Sequence, residues 1–182
     1  MRHHWLVIAA GCWLLLGDAA IGSWHSPVSG TRAEATCQGD LRGCIVADLE
    51  AANPRLRRAR AERIADAVVR YSGEHRLAPD LVVAVILVES TARPSARSHK
   101  GAIGLMQVMP HMFKQLGLRG NAAHIETNIQ AGCMLLADNI RRLGEDSGIL
   151  AYYWGRDIRG EAYLERVRAV RRSLATRLAA RA

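Results

Sequence analysis

Apolar side chains return along this chain at the spacing of a helix face. Ile64, Ala65, Val68, Val69 and Tyr71 form one stripe, Ile129, Cys133, Leu136 and Ile140 another, and Val167, Val170, Leu174 and Leu178 a third, with arginines on the opposite face of the last. This three-to-four-residue rhythm predicts amphipathic helices. Between the first two stripes the run from Leu81 to Val88 is apolar without interruption, as in a helix buried on all sides. Helix-ending and helix-starting residues divide the rest. Asn53-Pro54 predicts a cap with proline in the first turn. Asp80 predicts the cap of a Leu81 to Ser90 helix, and Pro94 its end. Residues 91–103 read as a polar loop, 110–116 as a short helix stopped by Gly117, and Gly144 as the end of the second stripe. Residues 149–154 form a short apolar and aromatic segment, and a last helix is predicted over 161–178. Residues 23–53, mixed in composition and rich in Ser, Thr and Gly, read as a lead-in segment. Nothing reads as a long strand. The expectation is a mainly α, single globular domain over residues 54–178 with little or no β.

The first 22 residues alter this picture. Met1-Arg2-His3-His4 is basic, Trp5 to Leu16 is apolar, and small residues gather from Gly17 to Gly22, which is the layout of a signal peptide. The apolar stretch is too short to span a bilayer, and no later segment reaches spanning length. Export to the periplasm or cell envelope is therefore expected, with no transmembrane anchor in the mature chain. Ala9-Ala10-Gly11-Cys12 is similar to a lipoprotein processing box, but apolar sequence continues past the cysteine. In an oxidising compartment Cys37 and Cys44, flanking a short polar loop, are expected to form a local disulfide. So small a ring contributes at most about 2.5 kcal/mol on the chain-entropy account. Cys133 falls on an apolar helical face and reads as a buried inert thiol.

Charge narrows the partners. The net charge is +8 over 182 residues, and loss of the leader removes one Arg and one Asp and leaves it unchanged. A basic exported protein is drawn to anionic polymers. The arginines are spread over residues 55–68, 93–97 and 141–181 and not gathered into an aromatic-interleaved stripe, so nucleic acid is not an expected partner.

Several chemistries can be set aside. The seven histidines are scattered, with no His-Glu-x-x-His and no paired Cys-x-x-Cys, so no metal or cofactor is expected. Ser90 and Ser98 lack a histidine base at a nucleophile turn. Gly101 to Gly104 is not followed by Gly-Lys-Ser/Thr. Glu89 remains. It closes the apolar helix, where its charge is poorly solvated and the helix dipole is negative, and both effects hold a proton on the carboxyl near neutral pH. That is the setting of a general acid; the plainer reading is a solvated glutamate at a helix end. Glycoside cleavage commonly uses two carboxylates, yet after Glu89 no Asp or Glu occurs until Glu126. Either Glu89 is not catalytic, or a 2-acetamido sugar supplies the missing partner through its amide oxygen.

The ordered blocks Glu89-Ser90, Ser98, Gly101-Ala102, Gly104-Leu105-Met106-Gln107, Met109-Pro110, Asn128-Ile129 with Gly132, and Ala151-Tyr152 resemble the catalytic domain of soluble-type lytic transglycosylases. That family has a goose-type lysozyme-like fold. The resemblance covers roughly residues 60–156. It implies a lysozyme-like helical domain acting on peptidoglycan glycan strands, with Glu89 as sole catalytic acid/base and no cofactor. Glu89 would protonate the oxygen between N-acetylmuramic acid and N-acetylglucosamine. It would then deprotonate the muramic 6-hydroxyl, closing a 1,6-anhydro ring. Ser98 matches a serine that contacts the acetamido group, Gln107 and Met109 match sugar-subsite positions, Asn128 matches a further active-site asparagine, and Tyr152 matches a tyrosine that hydrogen-bonds the catalytic glutamate. Compact domains of this kind serve secretion, pilus or conjugation machines by opening the wall locally, which makes such an envelope complex the partner implied by analogy.

The chain also departs from the family pattern. Tyr153 stands where asparagine is usual, in Ala151-Tyr152-Tyr153-Trp154-Gly155, and Leu135 stands where tyrosine is common. Both changes bear on subsite shape and glycan preference. Ser90 reads as a helix-ending residue, and Met106 as core. Two other functions fit the same residues. A hydrolytic goose-type muramidase would leave reducing ends, heavier than anhydro ends by one water. An inactive wall-binding scaffold would be indifferent to Glu89→Gln.

Overall fold

The computed structural model describes residues 40–154 and 160–179; the leader, Cys12 and Cys37 lie outside them. The described residues form seven helices: α1 (Leu41–Ala52), α2 (Arg58–His75), α3 (Pro79–Ser90), α4 (Pro110–Gln115), α5 (Ile125–Leu143), α6 (Glu145–Trp154) and α7 (Glu161–Ala179). The β content among them is two isolated bridges, Arg97 with Ile103 and Ile103 with Val108. The mainly α expectation holds.

α3 is the hub. Leu81 through Ile86 are all buried, because a helix that packs against α1, α2 and α7 has no face left for water. α5 packs on α2 and α6 and closes the other side. Its stripe of Ile129, Cys133 and Leu136 is fully buried, with Ile140 at the edge. In α7, Val167 and Leu174 are buried and Val170 partly so.

Three boundaries differ from the sequence reading. The stretch expected as lead-in contains α1, which places Ile45, Val46 and Leu49 in the core. Asp40 caps it by accepting from the backbone N–H groups of Arg42 and Gly43, so among the described residues helical structure packed on the core already precedes residue 54. Asn53 closes α1 instead of opening α2, and its side-chain amide donates to the Ala92 carbonyl at 3.1 Å. α3 starts at Pro79, and Asp80 sits inside its first turn, where it accepts from Arg171 of α7 at 2.9 Å. Asp80 thus joins two helices and does not cap its own.

α3 ends abruptly. Ser90 turns its hydroxyl back to the Ile86 carbonyl at 3.0 Å, the helix-ending role expected of it. Thr91 and Ala92 then adopt φ of 51° and 52°, left-handed conformations that cost a non-glycine residue roughly 1 kcal/mol each. The chain leaves the helix one residue after Glu89.

Candidate active site

Glu89 occupies the last turn of α3, partly exposed at the surface, while its carboxyl is surrounded by protein. Burial raises its pKa from 4.5 to about 7, against the opposing pull of a hydrogen bond from Tyr163 and the charge of Arg166. A carboxyl in that position is protonated through a large part of the neutral range and still able to lose its proton.

The hydrogen bond identifies a residue that sequence reasoning missed. The Tyr163 hydroxyl donates to Glu89 Oε1 at 2.8 Å. Tyr163 is itself buried on α7, and burial, with Glu89 beside it, holds its phenol well above the ordinary range, so it remains a donor. Its ring stacks on Tyr153, centroids 4.5 Å apart and planes 12° from parallel, and Arg166 lies 5.9 Å from the ring centre on the following turn. Tyr153, one of the two departures from the family pattern, therefore braces the ring that holds the acid. No local motif marks Tyr163 or Arg166. The only signal in the sequence is their three-residue spacing on one helix, and the packing of α7 on α3 gives it meaning.

Tyr152 does not make the bond expected of it. Its hydroxyl donates to the Met106 carbonyl at 2.7 Å, and its side chain is buried. It anchors the loop between α3 and α4, while Tyr163 takes the carboxyl.

The same loop is held from below by Asn128. Its Oδ1 accepts from the Met106 N–H at 2.9 Å, and its Nδ2 donates to the carbonyls of Ile103 at 3.0 Å and Ala122 at 3.1 Å. With 1% exposure and both amide protons committed, Asn128 reaches the loop and not the solvent face. The expected substrate contact becomes a supporting role. Gly132, one turn later on α5, leaves room for Met106: a Cβ there would stand 2.3 Å from the sulfur.

The loop carries the other expected residues. Ser98 Oγ accepts from the Ala102 N–H at 3.0 Å, which leaves its hydroxyl proton available to donate. Gln107, at φ 47°, donates through Nε2 to the carbonyls of Gly104 at 2.9 Å and Ala96 at 3.3 Å, so its carbonyl oxygen is the group left for a ligand. Met109 is partly buried against the core.

Glu126, the next carboxylate in sequence, is gripped by Arg63, with N–O distances of 2.8 to 3.1 Å. Cys133 is buried, and burial pushes its thiol up to about 12, so it is inert as expected. Among the described residues no three His, Cys, Asp or Glu side chains converge as metal ligands, and no helix is long and apolar enough to cross a membrane.

Residues 66–166 match the family model described as the transglycosylase SLT domain. A protein of Enterobacteria phage PRD1 named "Transglycosylase" is 41% identical over 85 residues, which are 46% of this chain and 32% of that protein. Among solved structures, an inactive mutant of the lytic transglycosylase Slt of Pseudomonas aeruginosa is 21% identical over 74% of this chain and 25% of its own, with a TM-score of 0.48. The 70 kDa soluble lytic transglycosylase of Escherichia coli is 26% identical over 72% of this chain and 23% of its own, with a TM-score of 0.45. The chain thus spans about a third of the phage relative and a quarter of the solved ones.

Proposed function

The chain belongs to the transglycosylase SLT family, and on that premise we propose that it is a lytic transglycosylase of peptidoglycan with Glu89 as its sole acid/base. The observation that carries the reading is a carboxyl at the surface end of a buried helix with its pKa raised to about 7. The family match supplies the substrate class.

In the first step Glu89 gives its proton to the glycosidic oxygen between N-acetylmuramic acid and N-acetylglucosamine, and the C1–O bond breaks. The muramic acetamido oxygen supports the cationic C1, a role a second carboxylate would otherwise fill. Glu89, now ionised, takes the proton of the muramic 6-hydroxyl as that oxygen bonds to C1. The acid is restored, no water is consumed, and the product ends in a 1,6-anhydro ring. Ser98 Oγ–H and the Gln107 carbonyl oxygen are the polar contacts proposed for the sugars, with Met109 as an apolar wall. Mass spectrometry of muropeptides from purified sacculi tests the scheme. Anhydro ends are expected, and ends heavier by one water would replace this reading with a hydrolytic one.

The leader supports export to the periplasm or cell envelope. Local wall opening for a secretion, pilus or conjugation apparatus is the finer proposal, supported by analogy alone.

Tyr163 gives a pH test. Its hydrogen bond stabilises the ionised form of Glu89 and so lowers the pKa that burial raises. In Tyr163→Phe the ring stack remains and the hydroxyl is lost, so the Glu89 pKa rises. Because the first step needs the protonated acid, the alkaline fall in kcat/KM is expected to move to higher pH. An unmoved or lowered limb would remove Tyr163 from control of the acid.

A further inference from the structure

Residues 91–124, between α3 and α5, contain Arg93, Arg97, Lys100, Lys114 and Arg119 and no Asp or Glu, so this lobe supplies +5 of the chain's net +8. All five cations are exposed. We propose that the lobe is an anion-binding surface for the carboxylates of the peptide stems on the strand held at Glu89. The proposal rests on the peptidoglycan reading for its substrate class and adds a second kind of contact to it.

The charge of the lobe is uncompensated. Among the described residues the ion pairs lie on either side of it in sequence, and none reaches into it. The acids at its two ends do not neutralise it. Glu126 is bound to Arg63 at 2.8 Å, and Glu89 holds its proton through much of the neutral range. Exposed charges of one sign raise the potential over their surface and gather counter-ions there.

The lobe borders the site. Arg93 donates through Nε to the Ser90 carbonyl at 2.9 Å, one residue past Glu89. Ser98 to Gly101 is a closed turn: the Gly101 N–H reaches the Ser98 carbonyl at 3.0 Å, and the Ser98 N–H reaches the Ala102 carbonyl at 3.0 Å. Arg97 leads into that turn, its backbone bridged to Ile103, and Lys100 stands within it. The two cations therefore bracket Ser98, one of the polar contacts proposed for the sugars. A strand seated on Ser98 carries its stems past them.

What the lobe lacks selects the anion. Its one aromatic, Phe113, is buried, so no ring is offered to stack a nucleobase. The large apolar residues exposed among the described residues are Leu41, Val69 and Leu143; none belongs to the lobe, so it offers no apolar anchor for a membrane surface. Charge pairing with flexible carboxylates is what remains. Each exposed pair is weak, so a strand that presents a stem on every muramic residue suits a surface with several cations.

The test uses the full chain carrying Glu89→Gln, so that no strand is cut. The probes are soluble glycan strands freed from sacculi by an endopeptidase, with the stem carboxyls either native or amidated. Native strands are expected to bind at least tenfold more tightly at low salt, and the gap to close as salt is raised. Arg97→Gln, Lys100→Gln, Lys114→Gln and Arg119→Gln combined are expected to weaken native-strand binding about tenfold. Binding of amidated strands by that variant should be unchanged, which also reports an intact site. The same charge removed from exposed positions outside the lobe, by Arg55→Gln, Arg60→Gln, Arg76→Gln and Arg172→Gln, is expected to cost about twofold or less. Equal binding of native and amidated strands, or equal losses in the two variants, would overturn the lobe and leave the wall-lytic reading standing. Binding of neither strand would overturn both. Lobe-dependent binding of phosphatidylglycerol vesicles or a single-stranded oligonucleotide, with strand binding untouched by the lobe variant, would give the surface to another partner and overturn this one.

Discussion

Glu89→Gln is expected to eliminate release of anhydro-muropeptides and, above neutral pH, to make the protein harder to unfold. The first effect is large because one side chain serves both halves of the reaction. General acid or base catalysis is worth roughly 10² to 10⁴ at a single step, so a drop of about 10³-fold or more is expected when the same group is lost from both. The second effect follows from linkage. Glu89 titrates near 7 in the folded chain against an ordinary 4.5. Between those values the folded state binds more protons than the unfolded one, so stability falls as pH rises through that window. The penalty is absent below 4.5 and complete above 7, where the displacement from 4.5 to about 7 corresponds to about 3 kcal/mol. Glutamine has no charge to desolvate, and its Oε1 can still accept from Tyr163. Thermal melts of both proteins at pH 5 and pH 8 should therefore diverge only at the higher pH, with the inactive variant the more stable. Equal melts at both pH values would mean that the carboxyl is well solvated. Retained turnover would remove Glu89 from the chemistry, and no turnover in either protein would leave only the scaffold reading.

How much of this was legible in the sequence depends on whether the responsible residues are neighbours along the chain. The buried α3, the α5 stripe and the Glu89 environment rest on short-range pattern, and all three were readable. α1 was not, because Ile45, Val46 and Leu49 are few and stand beside small residues; the partners that make them core lie on α2 and α3. Asn53 and Asp80 were misplaced for a related reason. Each looks like a local cap, yet Asn53 bonds Ala92 across 39 positions and Asp80 bonds Arg171 across 91. In the site, the family resemblance assigns the bond to the acid to Tyr152, within the matched Ala151-Tyr152 block. The hydroxyl that makes it comes from Tyr163, 74 positions away. Tyr152 and Asn128 proved to be holders of the loop, a role that depends on carbonyls no sequence motif displays.

That loop gives the last expected result, a difference between two glycines of the same conformational type. Gly101 and Gly104 have φ of 91° and 79°, so alanine at either position pays for a left-handed backbone, about 1 kcal/mol. At Gly101 the added Cβ would meet nothing within 4 Å, whereas at Gly104 it would lie 2.3 to 2.7 Å from the amide group of Asn128. That amide cannot swing aside cheaply, since it already bonds Met106, Ile103 and Ala122. Overpacking adds 1 to 3 kcal/mol to the strain, so Gly104→Ala is expected to cost about 3 kcal/mol in all. For a chain of this size that is roughly 10 °C in Tm. Gly101→Ala should lose about a third of that. Turnover below the melting range should also fall in Gly104→Ala, because Gln107 is hydrogen-bonded to the Gly104 carbonyl and moves with it. Adding Asn128→Ser opens the space and removes two of the three bonds, so the double variant should be less destabilised than the two single effects summed. If Gly104→Ala melts with Gly101→Ala, or the two changes at 104 and 128 add, the Asn128 amide is not what holds the loop beside Glu89.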